Sequence, residues 1–179
     1  MINNIITMEY IAGVTVLKTI GLDLTLKCIS TLTVSTQSVY NLLSNIKSSV
    51  HTKDLTNVLK EMDLENDILI LESIFKEIDL ENHHTKTLAL CLESLKVCVS
   101  EIENKLSEVN NRIIYNQSLW IASSMRSYVF DDIINSLKLL KLNLDNRKKT
   151  LFEVIKINAY LNPYLNIEKN CDITIIEPL

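Results

Sequence analysis

Between residues 22 and 162 the chain contains neither glycine nor proline; Gly13, Gly21, Pro163 and Pro178 all stand outside that interval. Tight turns rely on Gly and Pro for their backbone angles, and a sheet needs many of them. A gap this long predicts long helices joined by short Asn, Asp, Ser and Thr loops. It also removes any glycine loop that would cradle a phosphate. At 179 residues and 47% apolar, the chain is long enough to bury a sizeable core, most simply as one helical domain over 1–179.

The strongest periodic signal lies between Leu88 and Ile113. Leu88, Leu92, Leu95, Val99, Ile102, Leu106, Val109 and Ile113 recur at alternating steps of four and three, the spacing of a coiled-coil seam. The early part is broader. Cys91 and Cys98 flank it, and Leu90 and Val97 add apolar bulk, so this half predicts neighbours on more than one side. From Val99 to Ile113 the stripe narrows, with Lys105 and Arg112 beside it, as for a contact between two helices. This second half is expected to reach outward. Ile102, Leu106, Val109 and Ile113 would be the apolar anchors, with Lys105 and Arg112 as register-setting charges.

Helical spacing elsewhere gives segments near 8–30, 36–50, 53–62, 67–79, 84–114, 119–146 and 150–162. Residues 7–33 also alternate like strands and are rich in Thr; the helix is preferred because no partner strands are evident nearby. Ser35 or Thr36 would cap the second segment, and Thr52 the third. Leu64 to Asp67 reads as a break, as does Asp79 to Asn82. Asn110-Asn111 or Asn116-Gln117-Ser118 should end the seam helix. Arg147-Lys148-Lys149 either closes the next one, its positive charge matching the negative helix end, or forms the solvated face of a longer helix. Pro163 should stop the last near Asn162, leaving 163–179 as an extended tail. The fold predicted is all-α: a bundle of five or six helices, with 84–114 and 119–146 as a long antiparallel hairpin and a short extended C-terminal tail.

Charge is unevenly spread. The net charge is −4, yet residues 61–109 carry four basic and twelve acidic groups, a local −8. That stretch would repel a phosphate backbone, and aromatic residues are not interleaved with basic ones, so no specific nucleic-acid binding is expected. Glu9, Lys18, Asp23 and Lys27 interrupt the apolar N-terminal region, leaving no window for a membrane-spanning helix. Peripheral membrane contact by this region stays open, with a core helix preferred.

Chemistry is sparse. Cys28, Cys91, Cys98 and Cys171 are too few for a disulfide framework and read as reduced thiols. Adjacent His83 and His84 diverge on a helix, and steps of seven from His84 to Cys91 and Cys98 exceed what one metal ion spans. Glu81-x-x-His84 occurs once, whereas di-iron bundles need the motif on facing helices. Glu61/Glu65, Glu77/Glu81 and Glu101/Glu108 sit in charge-rich, solvated stretches. Only His51, His83 and His84 are available as imidazole bases. No catalytic residue, cofactor, metal or small-molecule substrate is therefore expected.

The expectation is a non-catalytic structural or interaction protein, binding a protein partner or itself through helical surfaces. A second possibility is an adaptor whose groove holds an amphipathic helix of a host or cellular protein; a small bundle enzyme ranks last. Abundant Asn and Ile beside four alanines suggest an AT-biased coding sequence, as in some large DNA viruses and protists. The expected setting is cytoplasmic or virion-associated.

Overall fold

The computed structural model describes the backbone of residues 2–49, 53–78, 85–118 and 130–170, and the side chains of 22–49, 55–78, 85–118 and 130–161. Among the described residues there are five helices and no strands: α1 (Ile2–Ser48), α2 (Lys53–Glu61), α3 (Leu64–Glu77), α4 (Lys86–Ser118) and α5 (Asp131–Asn170). The protein is an all-α helical bundle.

Paired residues give the arrangement. Cys28 meets Glu93 and Ser49 meets Gln117, so α1 runs parallel to α4. Arg112 meets Asp132, Cys98 meets Leu140 and Thr85 meets Asn158, so α5 runs antiparallel to α4. Lys47 pairs with Glu65, and Lys148 with Asp67, tying α3 to α1 on one side and to α5 on the other. The four long helices close a ring, α1–α4–α5–α3, around one apolar core that also takes Leu55 and Leu59 from α2. The connection between α4 and α5 lies outside the described residues, as do Thr52, the Asp79–Asn82 break and the tail from residue 171.

Two expected helix pairs are single helices. Ser35 and Thr36 do not cap a new segment; they are buried within α1. Hydroxyls in this stretch are satisfied by the helix itself: Thr31 donates to the Lys27 carbonyl, Thr33 to Ile29 and Thr36 to Thr33. Such back-bonding lets Thr occupy a helix interior without breaking it. It also resolves 22–33 as helix, with Thr25, Cys28 and Leu32 on the buried face.

Nor does Arg147-Lys148-Lys149 end a helix. Lys148 turns inward to Asp67 and Arg147 reaches the Ser94 carbonyl, so these cations bind neighbouring helices, not a helix terminus. α5 also continues through Pro163 to Asn170. A proline removes the bond to the carbonyl four residues earlier. Here that carbonyl belongs to Ala159, which is exposed, so water can replace the lost donor. Residues 163–170 are helical, not extended.

The break expected at Leu64–Asp67 falls at Met62–Asp63 instead. Asp63 adopts a left-handed conformation, φ 51°, which Asp tolerates better than most residues, and Leu64–Asp67 is the first turn of α3. α4 starts where Thr85 Oγ1 accepts the Leu88 amide at 3.1 Å, an N-cap bond.

α4 is the central stave. Leu88, Leu92, Leu95, Val99, Ile102, Leu106, Val109 and Ile113 are all buried, so the whole repeat is core. Leu106→Ala should lower the unfolding free energy by about 2–5 kcal/mol, as for a buried leucine. Leu139→Ala, on the exposed side of α5, should change it by less than about 0.5 kcal/mol. Urea titrations followed by circular dichroism measure both.

Candidate interaction surface

The expected contact residues do not project. Ile102, Leu106, Val109 and Ile113 lie in the same core as Val39, Leu43 and Ile46 of α1 and Phe130, Ile133 and Leu137 of α5. The stripe is narrow, yet two helices cover it from opposite flanks. Lys105 and Arg112 stay within the chain as well. Both bond Glu108, at 3.1 and 2.6 Å, and Arg112 also reaches Asp132 on α5 at 3.3 Å. These bonds hold the Glu108 carboxyl below its ordinary range, and Arg112 does the same for Asp132. The two carboxylates in turn raise the Arg112 guanidinium, Asp132 contributing most. Arg112 thus ties α4 to α5, while Lys105 bonds within α4 alone.

A second ionic cluster joins α3 to α5 and was not expected from the sequence. Asp67 is buried in the first turn of α3. Its Oδ1 accepts Lys148, and its Oδ2 lies 2.9 Å from Lys141 Nζ as an ion pair without hydrogen-bond alignment. Asp145 closes the cluster, 2.5 Å from Lys141 and 3.3 Å from Lys148. Burial pulls the Lys141 ammonium down, but Asp145 and Asp67 together hold it above its ordinary value. Burial likewise raises Asp145, and the two lysines outweigh it, leaving that carboxyl low. The signal available in sequence was Asp67 aligned with Leu64, Ile68 and Leu71 on one helical face, opposite basic residues spaced seven apart at 141 and 148.

Seven of the expected reactive or charged positions have simpler surroundings. The Cys28 thiol donates to Glu93 Oε2 at 3.1 Å, and Cys98 to the Leu140 carbonyl at 3.6 Å. Burial pushes the Cys28, Cys91 and Cys98 thiols up, away from the reactive thiolate. Glu65 is taken by Lys47, and Glu77 accepts the Ser73 hydroxyl. Lys138 and Lys149 are exposed. His51, Glu81, His83, His84 and Cys171 lie outside the described residues. Among the described residues no three His, Cys, Asp or Glu side chains converge as metal ligands, and no helix is long and apolar enough to cross a membrane.

Among the described residues, one open apolar area is the outer face of α4 and α5, away from α1 and α3. Leu90, Val97 and Leu139 are 60%, 45% and 61% exposed there. Leu90 and Val97 are the residues that widened the stripe in sequence; the bundle supplies neighbours on two sides of α4 and leaves this third side bare. Between the helices runs a groove of about 210 Å³ lined by Thr87, Leu90, Cys91, Ser94, Arg147 and Thr150. Arg147 donates to the Ser94 carbonyl and has no carboxylate partner among the described residues. Glu101, exposed two turns further along α4, has no cation partner among the described residues.

Comparisons with protein-family models, with curated proteins and with solved structures give no match.

Two outcomes are expected. Asp67→Ala leaves the partly buried Lys141 and Lys148 with Asp145 as their carboxylate and should cost about 1–3 kcal/mol, whereas Asp67→Leu with Lys141→Met and Lys148→Met should be near neutral; chemical denaturation distinguishes them. Glu93, Glu108, Asp132 and Asp145 are all lowered in the fold. The unfolded chain therefore binds more protons at acidic pH. The stability these groups contribute is present above their unfolded values of about 4 and is lost as pH falls through the lower folded values. Thermal midpoints should hold steady from pH 7 to 5 and drop progressively below about pH 4.

Proposed function

We propose that this is a non-catalytic structural or interaction protein that works by presenting the outer α4–α5 face to a protein partner. The observation carrying this reading is the set of exposed Leu90, Val97 and Leu139 around the Arg147 groove. Large apolar side chains grouped on one face mark protein contacts better than scattered ones do. The face is also rigid: each of its residues lies on a helix whose opposite side is buried in the core, so little ordering entropy is lost on docking.

A component of a larger assembly, such as a virus particle, is the setting this suits, because one exposed face can serve repeated contacts. Three thiols unpaired with one another, Cys28, Cys91 and Cys98, agree with a reducing compartment. A second reading uses the same groove: an amphipathic helix of another protein, placing a carboxylate on Arg147. The guanidinium without a carboxylate favours it.

A photo-reactive phenylalanine analogue placed at 90 or 139, in cells expressing the full chain, should give discrete protein adducts. The same residue at the exposed α3 position 73 should give none. Adducts absent from both 90 and 139 would end this reading.

A further inference from the structure

The geometry points to a second copy of this chain as the occupant of the α4–α5 face, docked about a two-fold axis beside Val97. This rests on the interaction surface proposed above and names its partner. An isologous contact requires a self-complementary patch: whatever lies to one side of the axis must match what lies on the other. This face has that property in its charges.

Consider its charges first. Arg147 lies level with Ser94, whose carbonyl it binds, three residues before Val97 along α4. Glu101 lies four residues beyond it. With the two α4 helices antiparallel across the axis, Arg147 of one copy faces the partner's Glu101, and the same pair repeats by symmetry. Neither side chain has an oppositely charged partner within the described chain. By contrast Glu93, Glu108, Lys105 and Arg112 on α4 are already engaged with intrachain partners. Arg147 and Glu101 sit on opposite sides of the apolar centre of the face, neither in an ion pair among the described residues.

The apolar groups follow the same symmetry. Leu90 lies seven residues before Val97. Leu139 lies on α5 beside Leu140, the residue level with Cys98, and on the side of it toward the Arg112–Asp132 pair. The two Val97 residues meet at the axis, and Leu90 and Leu139 of each copy flank it on either side. From Thr87 to Glu108 the face is about 30 Å long at about 1.5 Å per residue, and two helices make it roughly 20 Å wide. A corrugated patch of that footprint supplies close to the ~800 Å² per partner of a standard interface.

The test is sedimentation equilibrium of the full chain between about 1 and 100 µM, with circular dichroism confirming that each variant folds. The native chain should dimerise. Arg147→Glu and Glu101→Arg should each weaken the dimer about tenfold or more, since each places like charges at two symmetry-related points. The double variant R147E/E101R should restore the native dissociation constant to within about threefold, because the opposite-sign pairs re-form across the axis. A native chain that stays monomeric throughout, single variants that dimerise normally, or a double variant as weak as the singles would each overturn the proposal. The adduct masses from positions 90 and 139 separate the two levels of the account. Adducts of twice the chain mass support the second copy, whereas adducts solely with other proteins overturn it and leave the interaction surface standing.

Discussion

The structure depends on one stripe, the row from Leu88 to Ile113 along α4, and on its being covered from both flanks. α1 lies parallel to it and α5 antiparallel, and both contribute side chains to the core along its length. A helix with a strict four-and-three repeat has a stripe narrow enough for one partner. Here two helices share it, each taking one edge, because the flanking residues are amphipathic or small enough to be covered in part. Once α4 is fixed as the central stave, α3 must lie across the gap between α1 and α5, and the ring closes.

That closing contact is ionic where the others are apolar. Asp67 carries the charge of α3 into the bundle, and Lys141 and Lys148 meet it from α5. Such a cluster adds little net stability, because desolvation offsets most of the Coulomb attraction. It does discriminate between alternatives. A helix as apolar as α3, with Ile68, Ile70, Leu71 and Ile74 in succession around it, could pack in several rotations. Only one places the carboxylate between two ammonium groups. The cluster and the Arg112–Glu108–Asp132 group act at different joints, one aligning α3 on α5 and the other α5 on α4.

Much of this was legible in the residues, and the failures have specific causes. The absence of Gly and Pro over 22–162 established the fold class, and the repeat of 88–113 located the principal helix. Periodicity alone reported how wide an apolar stripe is but not how many helices cover it, so the 99–113 stretch looked outward when it is core. Local signals misplaced the joints for a related reason. Ser35, Thr36, the 147–149 cations and Pro163 resemble ends because each satisfies or removes a backbone group at an end. In this bundle back-bonded hydroxyls, partners on other helices and the exposure of Ala159 meet those needs within a continuous helix. Leu90 and Val97 were visible as surplus apolar residues, and the surplus is what remains bare once two neighbours are in place. Arg147 could not be singled out in sequence, since its lack of a carboxylate partner among the described residues is a property of the packed helices.

The claim that the α4 seam is closed within a single chain is tested most directly by amide hydrogen exchange along residues 92–109, measured on the Arg147→Glu variant at two protein concentrations far apart and both within its monomeric range. The account predicts that these amides exchange only through global unfolding, with a free energy equal to that from denaturation and unchanged by dilution. Exchange through low-energy local opening, or protection that falls on dilution, would show that the seam is closed by something outside the chain and would contradict it.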